Sequence, residues 1–210
     1  RVVFSYYEYA KSINEKLTVI WHVTRYCNGF FLDYFEEVPN ITFLKSVPKN
    51  VKITYKGCSG YKGNYVKDKI KSKSNLILLP YMKKQIDENI KVLDNNYIAV
   101  HIRRTDHTIC FRNKQLTKDT EIMSFIDNNK KDCNLYIATD NANTFNKYKS
   151  RYNDRIKLES NTYNKNQFRQ TTLKDAIIDL FMCVNANYFK GSNYSSFSSF
   201  IKNIRKHNEI

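Results

Sequence analysis

The side chains with chemistry to offer gather at three places in the second half of the chain. His101-Ile102-Arg103-Arg104-Thr105-Asp106 follows an apolar run at 97–100, Thr139-Asp140-Asn141 follows another at 135–138, and Gly191-Ser192-Asn193-Tyr194-Ser195-Ser196 follows a short stretch at 187–190 that reads as a strand. A guanidinium presents a planar fork of donors that grips phosphate oxygens in pairs. If 97–102 is a strand, alternation puts His101 and Arg103 on one side. The purely structural reading of this cluster is a turn in which Arg103 or Arg104 pairs with Asp106. In the third cluster, Ser195 and Ser196 open a helix whose first N–H groups and hydroxyls make an anion site. Ordinary N-capping by serine is its plainer explanation. Asp175 and Asp179 stand at i, i+4 on a helical stretch and share a polar face. Asp175 completes a capping box with Thr172. Asp179 sits mid-helix without a local duty, either as an acceptor for the paired donors of a guanine edge or as a solvated helix residue.

Other chemistries lack their parts. The sequence holds no GxGxxG or Walker loop, no HExxH, no Cys/His zinc spacing, no DxD pair and no GxSxG elbow. A metal-dependent transferase or hydrolase and a serine hydrolase are therefore not expected.

The elements that must position these clusters alternate regularly after residue 76. Helices are expected over 80–93, 117–130, 141–152, 171–186 and 195–206, and strands over 97–102, 135–139, 155–158 and 187–190. The helix at 171–186 has the clearest period, with Leu173, Ala176, Ile177, Leu180, Phe181 and Val184 on one stripe. Short apolar strands alternating with helices make a parallel sheet covered on both faces. Ligands of such sheets bind beyond the carboxyl ends of the strands, so the three clusters should converge on one crevice. The first third reads as a helix at 2–14, strands at 17–23 and 41–47, and an aromatic-rich helix or ordered loop at 27–39. Three of the five glycines fall in 56–64, followed by Lys67, Lys69, Lys71 and Lys73. This loop sets the expected boundary between a domain at 1–75 and one at 76–210.

At 210 residues and 41% apolar content the chain can bury a real core. Its net charge of +15 invites a nucleic-acid reading, but the lysines are scattered and lack interleaved aromatics. Abundant Lys, Asn, Ile and Tyr are what an AT-rich coding sequence produces, and no nucleic-acid partner is expected. Five dispersed cysteines without CxxC spacing point to free thiols in a reducing compartment. The sequon Asn193-Tyr194-Ser195 would put a glycan on the anion loop, which also favours the cytoplasm over a secretory lumen. A second sequon stands at Asn40-Ile41-Thr42. No apolar run reaches the length of a membrane span and no signal peptide is visible.

Taken in order at successive strand ends, HIRRTD at 101–106, LYIATD at 135–140 and KGSNYSSF at 190–197, with Asp179 on the helix between the last two, resemble the donor-binding half of the GDP-fucose transferases. These include the α1,6-fucosyltransferases and the protein O-fucosyltransferases, and the resemblance covers about 97–203. It implies a GT-B-like α/β fold with two Rossmann-type parallel-sheet domains, the N-terminal one small or truncated and on the acceptor side. It also implies an inverting mechanism, GDP-fucose or a related GDP-sugar as donor substrate, no cofactor and no metal. By the family pattern Arg103 and Arg104 hold the donor, Arg103 on the β-phosphate. His101 contacts the nucleoside or phosphate, Asp179 the guanine, Ser195 and Ser196 the diphosphate, and Asp140 is a further donor-site candidate. The glutamate that serves as base beyond this motif in α1,6-fucosyltransferases has no counterpart in 107–112, so Asp106, His107 or Glu8 would deprotonate a glycan or protein acceptor. The family's Gly-rich GxGN loop is also absent, and Arg1 stands about where it should end. The aromatic stretch 21–34 offers stacking for acceptor sugars or simply core packing. Two rivals stay open: a non-catalytic nucleotide- or glycan-binding relic, and a basic nucleic-acid-binding protein.

Overall fold

The computed structural model describes residues 2–24, 27–50, 76–105, 116–129, 132–159 and 171–207. The chain divides into two compact units, Arg1–Leu79 and Pro80–Ile210. The glycine-rich stretch expected to carry the boundary lies outside the described residues.

In the first unit, helix α1 (Val2–Ser12) precedes two parallel strands, β1 (Leu17–Ile20) and β2 (Ile41–Leu44). Both strands end earlier than their apolar composition suggests, although Trp21 N still donates to Leu44 O at 2.7 Å. The aromatic stretch between them is core. Phe31, in a single 3-10 turn, stacks on Phe43 and Phe35 at centroid distances of 4.2 and 4.8 Å, and Trp21 leans on Phe31 at 5.6 Å. Gly29 lets the Tyr34 ring lie close, since a Cβ would come within 2.6 Å of its edge, while its carbonyl accepts from Trp21 Nε1.

The second unit holds a three-stranded parallel sheet of order β4-β3-β5, with β3 (Tyr97–Ile102), β4 (Asn134–Thr139) and β5 (Tyr188–Gly191). Helices α2 (Pro80–Val92), α3 (Asp119–Asn128), α4 (Ala142–Tyr152), α5 (Leu173–Asn185) and α6 (Ser196–His207) surround it. Their ends follow local rules. Pro80 opens α2, where its missing N–H costs nothing, and Asp94 and Asn95 in the left-handed region stop it. Asn141 caps α4 by accepting from Thr144 N, and Thr172 and Asp175 form the capping box of α5. The expected strand at 155–158 is absent. Asn153–Arg155 makes a 3-10 turn instead, and Arg155 donates to Cys133 O and Ile126 O. Ile156 packs on the core from irregular backbone.

All six residues of β3 are buried, which a central strand in a covered parallel sheet requires. The two faces differ in kind. Ile98, Val100 and Ile102 join Leu135, Ile137, Ile122, Ile126, Phe145 and Tyr148 in an apolar core under α3 and α4. Each such aliphatic side chain contributes roughly 1.5–3 kcal/mol by burial. The opposite face carries polar groups, each with a partner. Tyr97 Oη donates to Met182 O at 2.8 Å, and Tyr136 Oη to Asp179 Oδ1 at 2.7 Å.

Arg205 of α6, only 9% exposed, closes the C-terminal end of α5. Its guanidinium donates to Cys183 O, Val184 O, Ala186 O and Asn187 O at 2.5–3.3 Å, satisfying carbonyls that a helix end leaves without partners. Arg205→Leu should cost about 3 kcal/mol, since hydrogen bonds from a charged donor are lost and buried carbonyls stay dry. Urea unfolding measures this; a loss under about 0.5 kcal/mol would show the clamp to be dispensable.

Candidate functional site

The register of the sheet assembles the site. Ile102 of β3 pairs with Thr139 of β4, so the next residues, Arg103 and Asp140, leave the same edge side by side. Asp140 is 4% exposed and its carboxylate takes four donors. Arg103 Nε lies 3.1 Å from Oδ2, Arg104 N 2.9 Å from Oδ1 and Thr105 N 3.4 Å from Oδ2, while Thr105 Oγ1 makes a close hydrogen bond to Oδ2. The purely structural reading paired an arginine with Asp106, which lies outside the described residues; among the described ones, Asp140 pairs with Arg103 and Asp119 with Arg104.

The β5 end is stitched to the same place. Ser192 Oγ donates to His101 O at 3.0 Å and accepts from Arg103 N at 3.0 Å, and Asn193 N donates to Thr117 Oγ1 at 2.7 Å. All three strand-end clusters therefore meet. Within the third, the two serines differ. Ser195 is buried and accepts from Ser198 N at 3.2 Å, which is an N-cap, whereas Ser196 is exposed at the first position of α6.

His101 faces α6. The ring is 5% exposed, its Nδ1 lies 2.7 Å from Ser198 Oγ, and it rests 4.9 Å from the Phe197 ring. Gly191, its register partner on β5, permits this approach: a Cβ there would meet Ser198 Cβ at 2.5 Å. Because β3 ends at Ile102, the alternation that would carry Arg103 to the side of His101 stops one residue short. Arg103 turns to β4, and its side chain is 23% exposed.

Arg104 reaches elsewhere. Its guanidinium donates to Asp119 Oδ1 at 2.6 Å, to Thr117 O at 3.2 Å and to Arg103 O at 3.3 Å. Asp119 also accepts from Lys147 Nζ at 2.6 Å and Tyr148 Oη at 3.1 Å. Burial works to raise the Asp119 pKa, but hydrogen bonds from Lys147, Arg104 and Tyr148 together with the Arg104 charge bring it down to about 2.

The polar face expected for Asp175 and Asp179 points inward: they are 8% and 9% exposed. A solvated helix face is thereby excluded. Burial, foremost, raises the Asp179 pKa to about 7; the hydrogen bond from Tyr136 opposes this, and the charges of Asp175 and Asp140 add to it. Asp106 and His107 lie outside the described residues. Glu8 belongs to the first unit, on α1, 3.8 Å from Lys11. Sequence reasoning missed Thr117, Asp119, Tyr136 and Ser198. Tyr136 carried a signal, since a large polar aromatic in register with Ala99 needs a partner for its hydroxyl above the sheet.

A parallel sheet flanked by helices, whose central strand ends in an ion-paired arginine with a serine-capped helix opening after the neighbouring strand, is a Rossmann-type arrangement. Solved structures agree on the fold. The chain is similar to NodZ α-1,6-fucosyltransferase co-crystallised with GDP, with TM-score 0.58, 12% identity and coverage of 95% of this chain and 86% of that one. It is likewise similar to fucosyltransferase NodZ from Bradyrhizobium, with TM-score 0.57 and the same identity and coverage. The family model described as GDP-fucose protein O-fucosyltransferase matches residues 64–208, and the chain belongs to that family. No curated protein matches it significantly.

The raised pKa of Asp179 has a consequence for stability. Its proton is held more tightly in the folded chain than in the unfolded one, where the ordinary value is 3.8. The stabilisation is complete below that value and is lost as pH rises to about 7. Asp179→Asn keeps the acceptor for Tyr136 and removes the titration. The variant should gain on the wild type by several degrees of melting temperature between pH 4.5 and 7.5; parallel melting profiles would refute the assignment.

Proposed function

We propose that this chain transfers fucose from GDP-fucose to a hydroxyl of a glycan or protein acceptor, with inversion and without a metal ion. The observation that carries the reading is the placement of Arg103. Its guanidinium stands at the end of the central strand, gripped through Nε by buried Asp140, while its backbone N–H donates to Ser192 in the loop that opens α6. Membership of a GDP-fucose-dependent family supports the donor. In the reaction the acceptor oxygen bonds to the anomeric carbon as the bond from that carbon to the β-phosphate oxygen breaks. The electron pair leaves with GDP, and the acceptor proton goes to a base. Charge then grows on the leaving diphosphate, where fixed cationic and N–H donors act most strongly. Arg103 and the first turn of α6 supply those donors.

The remaining residues divide between contact and support. Asp179 is proposed to accept from the guanine edge. Asp140, Ser195 and His101 hold Arg103 and the first turn of α6 in place through the bonds described above. Asp106, His107 and Glu8 are the candidates for the base.

Calorimetry with GDP, UDP and CDP, joined to turnover of GDP-fucose, tests the proposal. GDP should bind in preference to the other two, and EDTA should leave turnover unchanged. Arg103→Lys keeps the charge but loses the fork, and should lower turnover on the order of 100-fold. GDP binding without any turnover would favour the relic reading, and a folded protein that binds none of the three nucleotides would end the transferase reading.

A further inference from the structure

Two consecutive arginines leave β3, and their surroundings assign them different tasks. Arg104 sits in a network of three elements: Asp119 at the start of α3, Lys147 and Tyr148 of α4, and the backbone of its own loop. The Asp119 carboxylate takes Arg104 Nη2 and Tyr148 Oη on one oxygen and Lys147 Nζ on the other. Arg104 Nη1 in turn donates to the carbonyl of Arg103, and Nη2 to the carbonyl of Thr117. Thr117 receives Asn193 N through its hydroxyl. A line of bonds thus runs from Asp119 through Arg104 to the backbone of Arg103, with a branch through Thr117 to the loop that opens α6.

We propose that Arg104 is a positioning residue anchored by Asp119, and that the pair sets the backbone from which Arg103 meets the donor diphosphate. The inference rests on the donor site proposed above. It differs from that reading in what Arg104 touches: Asp119, Thr117 and Arg103, not the nucleotide.

Simple electrostatics and positioning give opposite signs for one substitution. If Asp119 acted on a bound anion only through its charge, removing that charge would tighten GDP binding. If it anchors Arg104, removing it loosens the backbone at Arg103 and weakens binding. The charge contribution of Arg104, by contrast, has the same sign under both views, so Asp119 is the discriminating position.

The experiment is a double-mutant cycle on GDP affinity, with Arg104→Gln, Asp119→Asn and the pair, measured by calorimetry well below the melting temperature of each variant. Positioning requires each single variant to weaken GDP binding about tenfold and the double variant no more than either single one, because both remove the same link. Tighter binding in Asp119→Asn overturns the proposal in favour of through-space charge. Losses that multiply in the double variant, with Arg104→Gln the more severe, overturn it in favour of direct contact with the nucleotide. If Asp119→Asn does not fold, Asp119→Glu with Arg104→Lys completes the same cycle. A wild type that fails to bind GDP removes the donor site itself and this inference with it, whereas a binding wild type with additive variants removes only the inference.

Discussion

The structure of the site depends on one buried carboxylate. Asp140 leaves water almost completely, and a carboxylate buried without hydrogen-bond partners would be strongly unfavourable. Four donors prevent this, and all four come from the three residues that follow β3. The dependence runs both ways. Arg103, Arg104 and Thr105 adopt one backbone path because the Arg103 guanidinium, the Arg104 and Thr105 N–H groups and the Thr105 hydroxyl converge on Asp140. Asp140 is satisfied in its buried position because they do. From that path the rest follows, since Arg103 N meets Ser192 Oγ, and Ser192 in turn holds His101 O. Removing the carboxylate would leave a guanidinium and two amide groups without their shared acceptor, which costs more than the loss of one surface ion pair.

The two faces of the sheet divide the work of folding and of function. Under α3 and α4 the contacts are aliphatic and aromatic, with no direction to them, and they supply stability in proportion to area. Under α5 and α6, buried apolar residues such as Met182 and Ile201 are joined by directional contacts: Tyr97 to Met182 O, Tyr136 to Asp179, His101 to Ser198. A polar face of this kind is stable only if every group finds its partner, and the requirement fixes helix positions more narrowly than apolar packing does. Gly191 shows how narrow the fit is. Any side chain there would strike Ser198, so the first turn of α6 is held against β5 and β3 together.

How much of this was legible in the sequence follows from the range of each interaction. The apolar run at Tyr97–Ile102 and the stripe on α5 are local periodicities, and the strand and the helix appear where they are read. The capping box of Thr172 and Asp175 is also local and appears as expected. What was not legible is the choice of partner. Arg103 and Arg104 had a carboxylate two or three residues away in Asp106, yet their described partners are Asp140 and Asp119, which lie 37 and 15 positions along the chain. The first of these could be reasoned out: parallel neighbouring strands in register bring their exits together. The second required knowing where α3 begins relative to the β3 loop. The choice between the two readings of Asp179 was not legible for a related reason. Helical spacing places it beside Asp175, but whether that face meets solvent or sheet is decided by Tyr136, on a different element.

Consecutive arginines at the end of a strand look redundant, and their surroundings explain why they are not. Once the chain leaves the sheet, neighbouring side chains no longer alternate between two covered faces; each turns toward whichever acceptor is closest. For Arg103 that acceptor is a carboxylate at the end of the adjacent strand, which holds the guanidinium at the sheet's edge and leaves about a quarter of the side chain exposed. For Arg104 it is a carboxylate at the head of α3, which already binds a lysine and a tyrosine from α4. Asp140 binds both, one through its side chain and the other through its backbone N–H. Asp119 binds only the second. The two side chains are almost equally exposed, at 23% and 21%, so the asymmetry lies in their partners: Arg103 is held by one carboxylate at the sheet's edge, and Arg104 is tied through Asp119 to two helices. A lysine could preserve the charge at either position, but neither the Nε contact to Asp140 nor the three-way reach of Arg104 can be made by a single ammonium on a flexible stem.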